Sequence, residues 1–134
     1  MEPDCFTLEM AVRDYECDLQ GVVNNAVYQN YLEHARHEYF KTIGIDFAAL
    51  AVQGINLVVT RAEIDYTASL VSGDRFEVEV LMERSSPLRV VFRQKLYRLP
   101  ERKIVLKALI TGTALNPKGR PQLPEALKAF LDRS

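Results

Sequence analysis

The sequence predicts an α+β fold, in which one long helix packs against a curled antiparallel sheet of about five strands. Residues 25–43 carry apolar side chains at three- and four-residue steps, the period of an amphipathic helix. Four strand-like segments follow between residues 55 and 115, and the turns between them are too short for a parallel crossover. A helix and a sheet that each have one apolar face bury those faces against each other.

The composition is that of a globular protein with a real core. The 134 residues are 48% hydrophobic and 26% charged, as expected for one domain of common size. We therefore treat residues 1–134 as a single domain. The net charge of −1 excludes a general electrostatic attraction to nucleic acid or to an anionic membrane. A polyanionic ligand would need a local cluster of Arg and Lys.

The cellular compartment is predicted from features that the sequence lacks. It has no run of 18 apolar residues that could cross a membrane, and its acidic start, MEPDCFTLEM, is unlike a secretion signal. Cys5 and Cys17 have no CxxC or zinc-ligand spacing. We expect a cytoplasmic protein with reduced thiols, no metal or other cofactor, and no nucleic-acid or membrane partner.

The first elements are a strand, a loop and the long helix. Residues 6–15 alternate between apolar and polar side chains, which predicts a strand, and residues 16–23 form a loop. Asn24 or Asn25 is a favoured N-cap, and Gly44 is a natural stop after the helix. The apolar face of the helix comprises Tyr28, Tyr31, Leu32, Ala35, Tyr39 and Ile43.

The second half is strand-like. After a short apolar segment at residues 47–52, β-branched or alternating residues predict four strands. The open edges of such a sheet favour assembly into a homodimer or homotetramer. The predicted strands span residues 55–67, 75–84, 88–99 and 103–115, and residues 125–131 are compatible with a short terminal helix.

One acidic residue stands just ahead of the helix start. Asp18 precedes Asn24 by six residues, with Gly21 between them. The first N–H groups of a helix lack intrahelical partners, so they can bind the oxyanion that forms when a carbonyl is attacked. A carboxylate beside such a carbonyl can act as a nucleophile or as a general base toward water. Acyl transfer is therefore one interpretation, and ordinary turn and cap chemistry is the other.

The residues around Asp18 resemble a known family. The segment VRDYECDLQGVVNNAVYQNYLEHARHEYFKTIGID looks like the opening signature of hot-dog-fold thioesterases of the 4-hydroxybenzoyl-CoA thioesterase type. It is more closely similar to the acyl-lipid thioesterases of plant plastids and their bacterial relatives, which carry a comparable DY-x-x-D-x-x-GVVNNAVY segment. The later VVTRAEIDYTASLVSGDRFEVEV resembles the second and third strands of that family.

The resemblance implies a fold, a reaction and a set of residues. The fold is the hot-dog fold, and the reaction is hydrolysis of a fatty acyl or 3-oxoacyl thioester of acyl carrier protein. Asp18 matches the catalytic acid, Gly21 the loop glycine, and the backbone N–H near Asn25 the oxyanion donor. Apart from the resemblance, Val23 and Tyr28 are predicted to bind substrate. The apolar residues of the helix either line an acyl tunnel between helix and sheet or belong mostly to the core. Whether the acid attacks directly or activates water stays open.

Two functions stay open as alternatives to hydrolysis of acyl carrier protein thioesters. One is an acyl-CoA thioesterase that acts on aliphatic or aromatic acyl groups, and the other is a non-catalytic acyl-binding module. Asp18 distinguishes the module from an enzyme, because binding alone does not need a carboxylate beside the carbonyl.

The helix also carries a cluster of possible metal ligands. Glu33 with His37, and His34 with Glu38, are four residues apart and so share a helix face. A third ligand is not apparent, so we do not expect a metal site. Some hot-dog thioesterases carry the catalytic carboxylate on this helix, but the loop acid is preferred here. A dehydratase would need a well-placed histidine as its acid or base, and neither His lies at the loop. This counts against dehydration, but His34 and His37 keep it open.

A basic cluster lies on a later strand. Arg89, Arg93 and Lys95 share one strand face, with Arg84 just before the turn. Such a cluster can hold the phosphates of coenzyme A or the acidic surface of acyl carrier protein. It is equally typical of a solvated strand face. We include Arg89 and Arg93 among the predicted substrate-binding residues.

Overall fold

The computed structural model describes residues 5–132 and contains five strands and three α-helices. Within that range, no helix has the length and apolar character needed to cross a membrane. The elements are β1 (Phe6–Ala11), α1 (Asn25–Thr42), α2 (Phe47–Val52), β2 (Asn56–Tyr66), β3 (Arg75–Ser86), β4 (Arg89–Leu99), β5 (Lys103–Leu115) and α3 (Glu125–Asp132), with a 3₁₀ turn at Asp14–Glu16.

The five strands form one antiparallel sheet in the order β1-β3-β4-β5-β2. The short turns make β3, β4 and β5 neighbours, as the sequence predicts. β1 and β2 are the first two strands in the chain, yet they occupy opposite edges of the sheet. The prediction of an α+β fold with an antiparallel sheet of about five strands is confirmed.

Helix α1 begins and ends close to the cap and the stop residue that the sequence predicts. The Asn24 side chain accepts a hydrogen bond from the Ala26 N–H at 2.9 Å, so Asn24 is the N-cap. The helix ends at Thr42, and Gly44 follows with a left-handed φ of 79°. Its buried residues are Tyr28, Tyr31, Leu32, Ala35, Arg36, Tyr39 and Phe40.

The core lies between α1 and the inner face of the sheet. Alternate residues of β3 are buried, among them Phe76, which is fully enclosed. The Tyr31 ring packs on the Phe76 ring with their centroids 4.5 Å apart. Further along the helix, the Phe40 ring meets Phe92 of β4 edge-on at 5.7 Å. The aromatic residues of α1 therefore set its position over β3 and β4.

The first strand is shorter than the sequence predicts. Alternation continues to residue 15, but β1 ends at Ala11, which is opposite Arg75, the first residue of β3. Beyond that point Val12 pairs instead with the β2–β3 turn, through Val12 N–H to Asp74 O and Gly73 N–H to Val12 O. Because β3 offers no further partner, the chain leaves the sheet and forms the 3₁₀ turn.

β2 is exposed at one edge of the sheet. It pairs only with β5 among the described residues, and none of its residues is fully buried. Val59 and Tyr66 expose 52% and 42% of their surface. An 11-residue edge strand with exposed apolar side chains is a ready surface for pairing with another chain.

Candidate active site

The loop before α1 folds tightly on itself. The Asp18 N–H donates to Val22 O at 2.8 Å, and the Gly21 N–H donates to Asp18 O at 3.0 Å. Gly21 has a φ of 79°, a left-handed conformation that glycine adopts without steric cost. Gly21, which the resemblance matches to the loop glycine of the family, therefore lets the loop turn sharply.

The Asp18 carboxylate takes part in that turn and also faces outward. Its Oδ1 accepts the Gln20 N–H at 2.8 Å and the Val22 N–H at 3.4 Å, which is the turn chemistry expected of an aspartate in a loop. Its Oδ2 has no hydrogen-bond partner within residues 5–132, and the side chain is exposed. One oxygen therefore orients the carboxylate, and the other remains available for chemistry.

The helix start supplies an open hydrogen-bond donor. The Ala26 N–H is capped by Asn24, whereas the preceding Asn25 N–H has no acceptor among the described residues. The positive end of the macrodipole of α1, 18 residues long, stands behind this group. Such a donor suits a carbonyl oxygen that gains negative charge.

Asp18 and Asn25 border one pocket. Two more of the predicted residues, Val23 and Tyr28, border it as well, while Gly21 lies in the adjoining turn. Tyr66 at the end of β2 closes the other side. The lining residues are Asp18, Gln20, Val22, Val23, Asn24, Asn25, Tyr28, Tyr66, Ala68 and Ser69.

Val23 and Tyr28 hold the wall of this pocket together. The Val23 N–H donates to Leu70 O at 3.0 Å, and the Leu70 N–H donates to the Tyr28 hydroxyl oxygen at 2.9 Å. Burial raises the pKa of Tyr28 above its usual value, so the hydroxyl is neutral at physiological pH. The loop between β2 and β3 is thus fastened to the start of α1.

A second anchor, which the sequence did not reveal, lies beside Asp18. The Tyr31 hydroxyl donates to Glu16 Oε1 at 2.7 Å, and the Arg13 N–H donates to the same oxygen at 2.8 Å. These bonds join the loop, two residues before Asp18, to the second turn of α1. Glu16 and Tyr31 are 15 residues apart, and no local pattern signals that they meet.

Replacing Tyr31 by phenylalanine should lower the free energy of unfolding by about 1.5 to 3 kcal/mol at neutral pH, because a hydrogen bond to a carboxylate is lost. Burial, and then the hydrogen bond to Glu16, raise the pKa of Tyr31 above its usual value. The unfolded chain therefore ionises first, and this contribution is lost as pH rises above about 10. Urea unfolding should show that the difference between the two proteins narrows above that pH. A difference that stays constant with pH would contradict the assignment.

A comparison with known proteins identifies the family. The sequence pattern of the thioesterase-like superfamily matches residues 12–131. The chain belongs to this superfamily. The match includes the loop, α1 and all of the sheet except β1.

Individual known proteins are similar over most of this chain. The chloroplastic acyl-acyl carrier protein thioesterase ATL2 of Arabidopsis thaliana is 39% identical over 92% of this chain, which spans 66% of ATL2. The long-chain acyl-CoA thioesterase FadM of Escherichia coli strain K12 is 27% identical over 86% of each chain. The crystal structure of Slr0204, a 1,4-dihydroxy-2-naphthoyl-CoA thioesterase from Synechocystis, has a TM-score of 0.89 at 19% identity, covering 96% of each chain. The predicted hot-dog fold is confirmed.

In this member of the thioesterase-like superfamily, Arg89 and Arg93 lie on β4 and do not border the pocket of Asp18. Gln94 faces α1, so the neighbouring Arg93 points to the opposite face of the sheet. There its Nε donates to Glu83 Oε1 at 2.8 Å. Arg89 is exposed at the start of the strand. A single copy of the chain does not bring these arginines to Asp18, and their role stays a prediction.

The four possible metal ligands of α1 also lie away from the Asp18 pocket. They are Glu33, His34, His37 and Glu38. His34, His37 and Glu38 border a cleft between α1 and α2. His37 Nε2 is 4.0 Å from Glu33 Oε2, and burial lowers the pKa of His37. Within residues 5–132, no three His, Cys, Asp or Glu side chains are placed to hold a metal ion. These residues do not supply an acid or base at the helix start.

Proposed function

We propose that this protein hydrolyses acyl thioesters at the start of α1. The observation that carries the proposal is that the Asp18 carboxylate and the open Asn25 N–H border one pocket. A carboxylate and an oxyanion donor are the two groups that acyl transfer requires at the carbonyl. Membership of the thioesterase-like superfamily supports the same reaction.

The arrangement supports a simple sequence of steps. The thioester carbonyl oxygen accepts the Asn25 N–H, which stabilises the negative charge that develops there. Asp18 either removes a proton from the attacking water or attacks the carbonyl carbon itself, forming an anhydride that water then opens. In both routes the C–S bond breaks, water supplies the oxygen of the new carboxylic acid, and the sulfur leaves as the thiol. Oδ2 of Asp18 is the reacting oxygen, because Oδ1 is held by the loop.

The first substrate candidate is a fatty acyl or 3-oxoacyl group on acyl carrier protein. It is supported by the 39% identity to the plastid thioesterase, whose name states an acyl carrier protein substrate. The second candidate is acyl-CoA, supported by the likeness to the E. coli long-chain acyl-CoA thioesterase. Both donors carry the same phosphopantetheine arm, so the pocket at Asp18 is compatible with either.

Thiol release from matched acyl-CoA and acyl carrier protein thioesters tests the reaction and names the donor. We expect turnover of saturated or 3-oxoacyl thioesters, with a higher kcat/KM for the carrier-protein form. A higher value for acyl-CoA would favour the second candidate. Binding of acyl thioesters without release of thiol from any of them would contradict the proposal and favour an acyl-binding module.

We also propose that the protein is a homodimer or homotetramer that pairs through β2. The exposed Val59 and Tyr66 on an unpaired edge support this. Light scattering of the purified protein should give a mass of two or four times the chain mass of 15.3 kDa. A single-chain mass at all concentrations would contradict the proposal.

A further inference from the structure

The Tyr28 side chain forms part of the wall of the Asp18 pocket. It lies in the first turn of α1, where its own N–H donates to Asn24 O at 3.4 Å. Because the side chains of an α-helix lean toward its N-terminus, the Tyr28 ring extends back over the turn that begins at Asn25. The ring therefore reaches toward the open Asn25 N–H, which borders the same pocket.

Two hydrogen bonds locate the Tyr28 hydroxyl group. Its oxygen accepts the Leu70 N–H at 2.9 Å, and the Leu70 carbonyl in turn accepts the Val23 N–H at 3.0 Å. Val23 is only two residues before Asn25 in the chain. The Tyr66 ring packs against the Tyr28 ring, with the two centroids 5.6 Å apart. The hydroxyl is thus fixed between the loop that follows β2 and the residues that precede the helix.

The proton of this hydroxyl has no acceptor in the part of the chain that the structure describes. Only 2% of the Tyr28 surface is exposed. Two carboxylates of the surrounding loops bond elsewhere, since Asp74 Oδ2 accepts the Val71 N–H and Glu16 Oε1 accepts the Tyr31 hydroxyl. A buried O–H group without an acceptor is costly, and such donors normally meet a water molecule or a ligand. The pocket is the space from which an acceptor can reach it.

The hydroxyl is suited to donating a hydrogen bond and keeping its proton. Burial raises the pKa of Tyr28, so the phenol is neutral at physiological pH. Because its oxygen accepts the Leu70 N–H, the O–H bond is polarised and becomes a stronger donor. Such a group can stabilise negative charge on a nearby oxygen without reacting itself.

We propose that the Tyr28 O–H is a second hydrogen-bond donor to the carbonyl oxygen of the thioester, beside the Asn25 N–H. The inference rests on the proposed function, because it assumes that the thioester carbonyl lies at the start of α1. As water or Asp18 attacks the carbonyl carbon, the carbonyl oxygen gains negative charge and both donors stabilise it. The charge leaves that oxygen when the C–S bond breaks, and Tyr28 keeps its proton throughout.

A second donor should affect kcat more than KM. Loss of one donor from an oxyanion site typically lowers kcat by about 10²–10³. The hydrogen bond to the neutral carbonyl of the bound substrate is weaker than the bond to the oxyanion, so ground-state binding depends on it less. A residue that only supports the pocket wall has no reason to distinguish the two states.

Binding of a thioester and of its thioether analogue tests the contact separately from hydrolysis. On the Asp18→Asn protein, we would measure dissociation constants of dodecanoyl-CoA and of S-dodecyl-CoA, which lacks the carbonyl oxygen, and the carbonyl infrared band of the bound thioester. The same pair on acyl carrier protein replaces them if the CoA forms do not bind. Adding Tyr28→Phe should weaken binding of the thioester by about three- to tenfold, change the thioether by less than about twofold, and move the carbonyl band to higher frequency. Equal weakening of both ligands with an unmoved band is the pattern of a structural role and overturns the inference.

Thiol release gives the effect on catalysis. With Asp18 intact, Tyr28→Phe should lower kcat by about a hundredfold or more while KM changes little. Tyr97→Phe is the matched control, because the Tyr97 hydroxyl also donates to a protein oxygen, Glu79 Oε1 at 3.5 Å, but lies on β4 and does not border the Asp18 pocket. We expect Tyr97→Phe to keep the wild-type kcat.

A second substitution keeps the inference testable if Tyr28→Phe does not fold. Tyr28→3-fluorotyrosine retains the oxygen that accepts the Leu70 N–H and makes the phenol a stronger donor, so the carbonyl band of the bound thioester should move to lower frequency. An unmoved band overturns the inference. If wild type hydrolyses the thioester and Tyr28→Phe has the same kcat, only this inference fails. If no thiol is released but the carbonyl band depends on Tyr28, only the proposed hydrolysis fails.

Discussion

Replacing Asp18 by asparagine should lower kcat/KM for thioester hydrolysis by about two to four orders of magnitude, the usual contribution of an acid or base group. An asparagine side-chain oxygen can still accept the Gln20 and Val22 N–H groups that orient Asp18. It cannot act as a base, and it is a far weaker nucleophile. The turn should therefore persist while the chemistry is lost.

The measurement is thiol release over a range of substrate concentrations, with circular dichroism and thermal unfolding to show that the fold is kept. Asp46→Asn is a close control, because Asp46 is also exposed and its Oδ1 also accepts two backbone N–H groups, from Ala48 at 2.9 Å and Ala49 at 3.2 Å. It caps α2 and does not border the Asp18 pocket. We expect Asp46→Asn to retain activity. Equal rates for wild type and Asp18→Asn would reject Asp18 as the catalytic residue.

Replacing Phe76 by alanine should lower the free energy of unfolding by about 3 to 5 kcal/mol. Phe76 is fully buried on β3, and its ring centroid lies 4.5 Å from that of Tyr31. The substitution removes apolar contacts and leaves a cavity between α1 and the sheet. It also removes the support of Tyr31, whose hydroxyl anchors Glu16 beside Asp18, so activity should fall as well.

Urea unfolding at neutral pH gives the change in free energy. Val52→Ala serves as a control, because Val52 is 89% exposed at the end of α2, and its truncation should change stability by about 0.5 kcal/mol or less. A loss of less than about 1 kcal/mol for Phe76→Ala would show that the core does not depend on this contact.

The long helix was the element that the sequence predicted best. Its period placed Tyr28, Tyr31 and Leu32 on the buried face, and all three are buried. Its start was marked by Asn24 or Asn25 and its end by Gly44, and the structure shows that Asn24 is the cap. These features arise from interactions between residues that are close in sequence. A short stretch of sequence is therefore enough to predict them.

The sequence predicted which residues form the candidate site better than it predicted what each residue does there. Spacing alone left Asp18 as either a turn residue or a catalytic acid, and the structure shows that the turn exists. The resemblance to thioesterases favoured catalysis. Val23 and Tyr28, which were predicted to bind substrate on other grounds, border the pocket. Arg93 was chosen from its charge and strand position, and it lies on the far face of the sheet, paired with Glu83.

The sequence by itself determined the α+β class, the long helix and its cap, the inward faces of the strands, and the loop acid before the helix. The tertiary structure alone decided that β1 and β2 occupy opposite edges, that Glu16 meets Tyr31, and that Arg36 meets Gln94, a residue 58 positions away. The physical reason is the separation in sequence of the residues that interact. Helix periods, caps and strand alternation arise from neighbouring residues, whereas the pairing of distant side chains depends on how the helix packs over the five-stranded sheet.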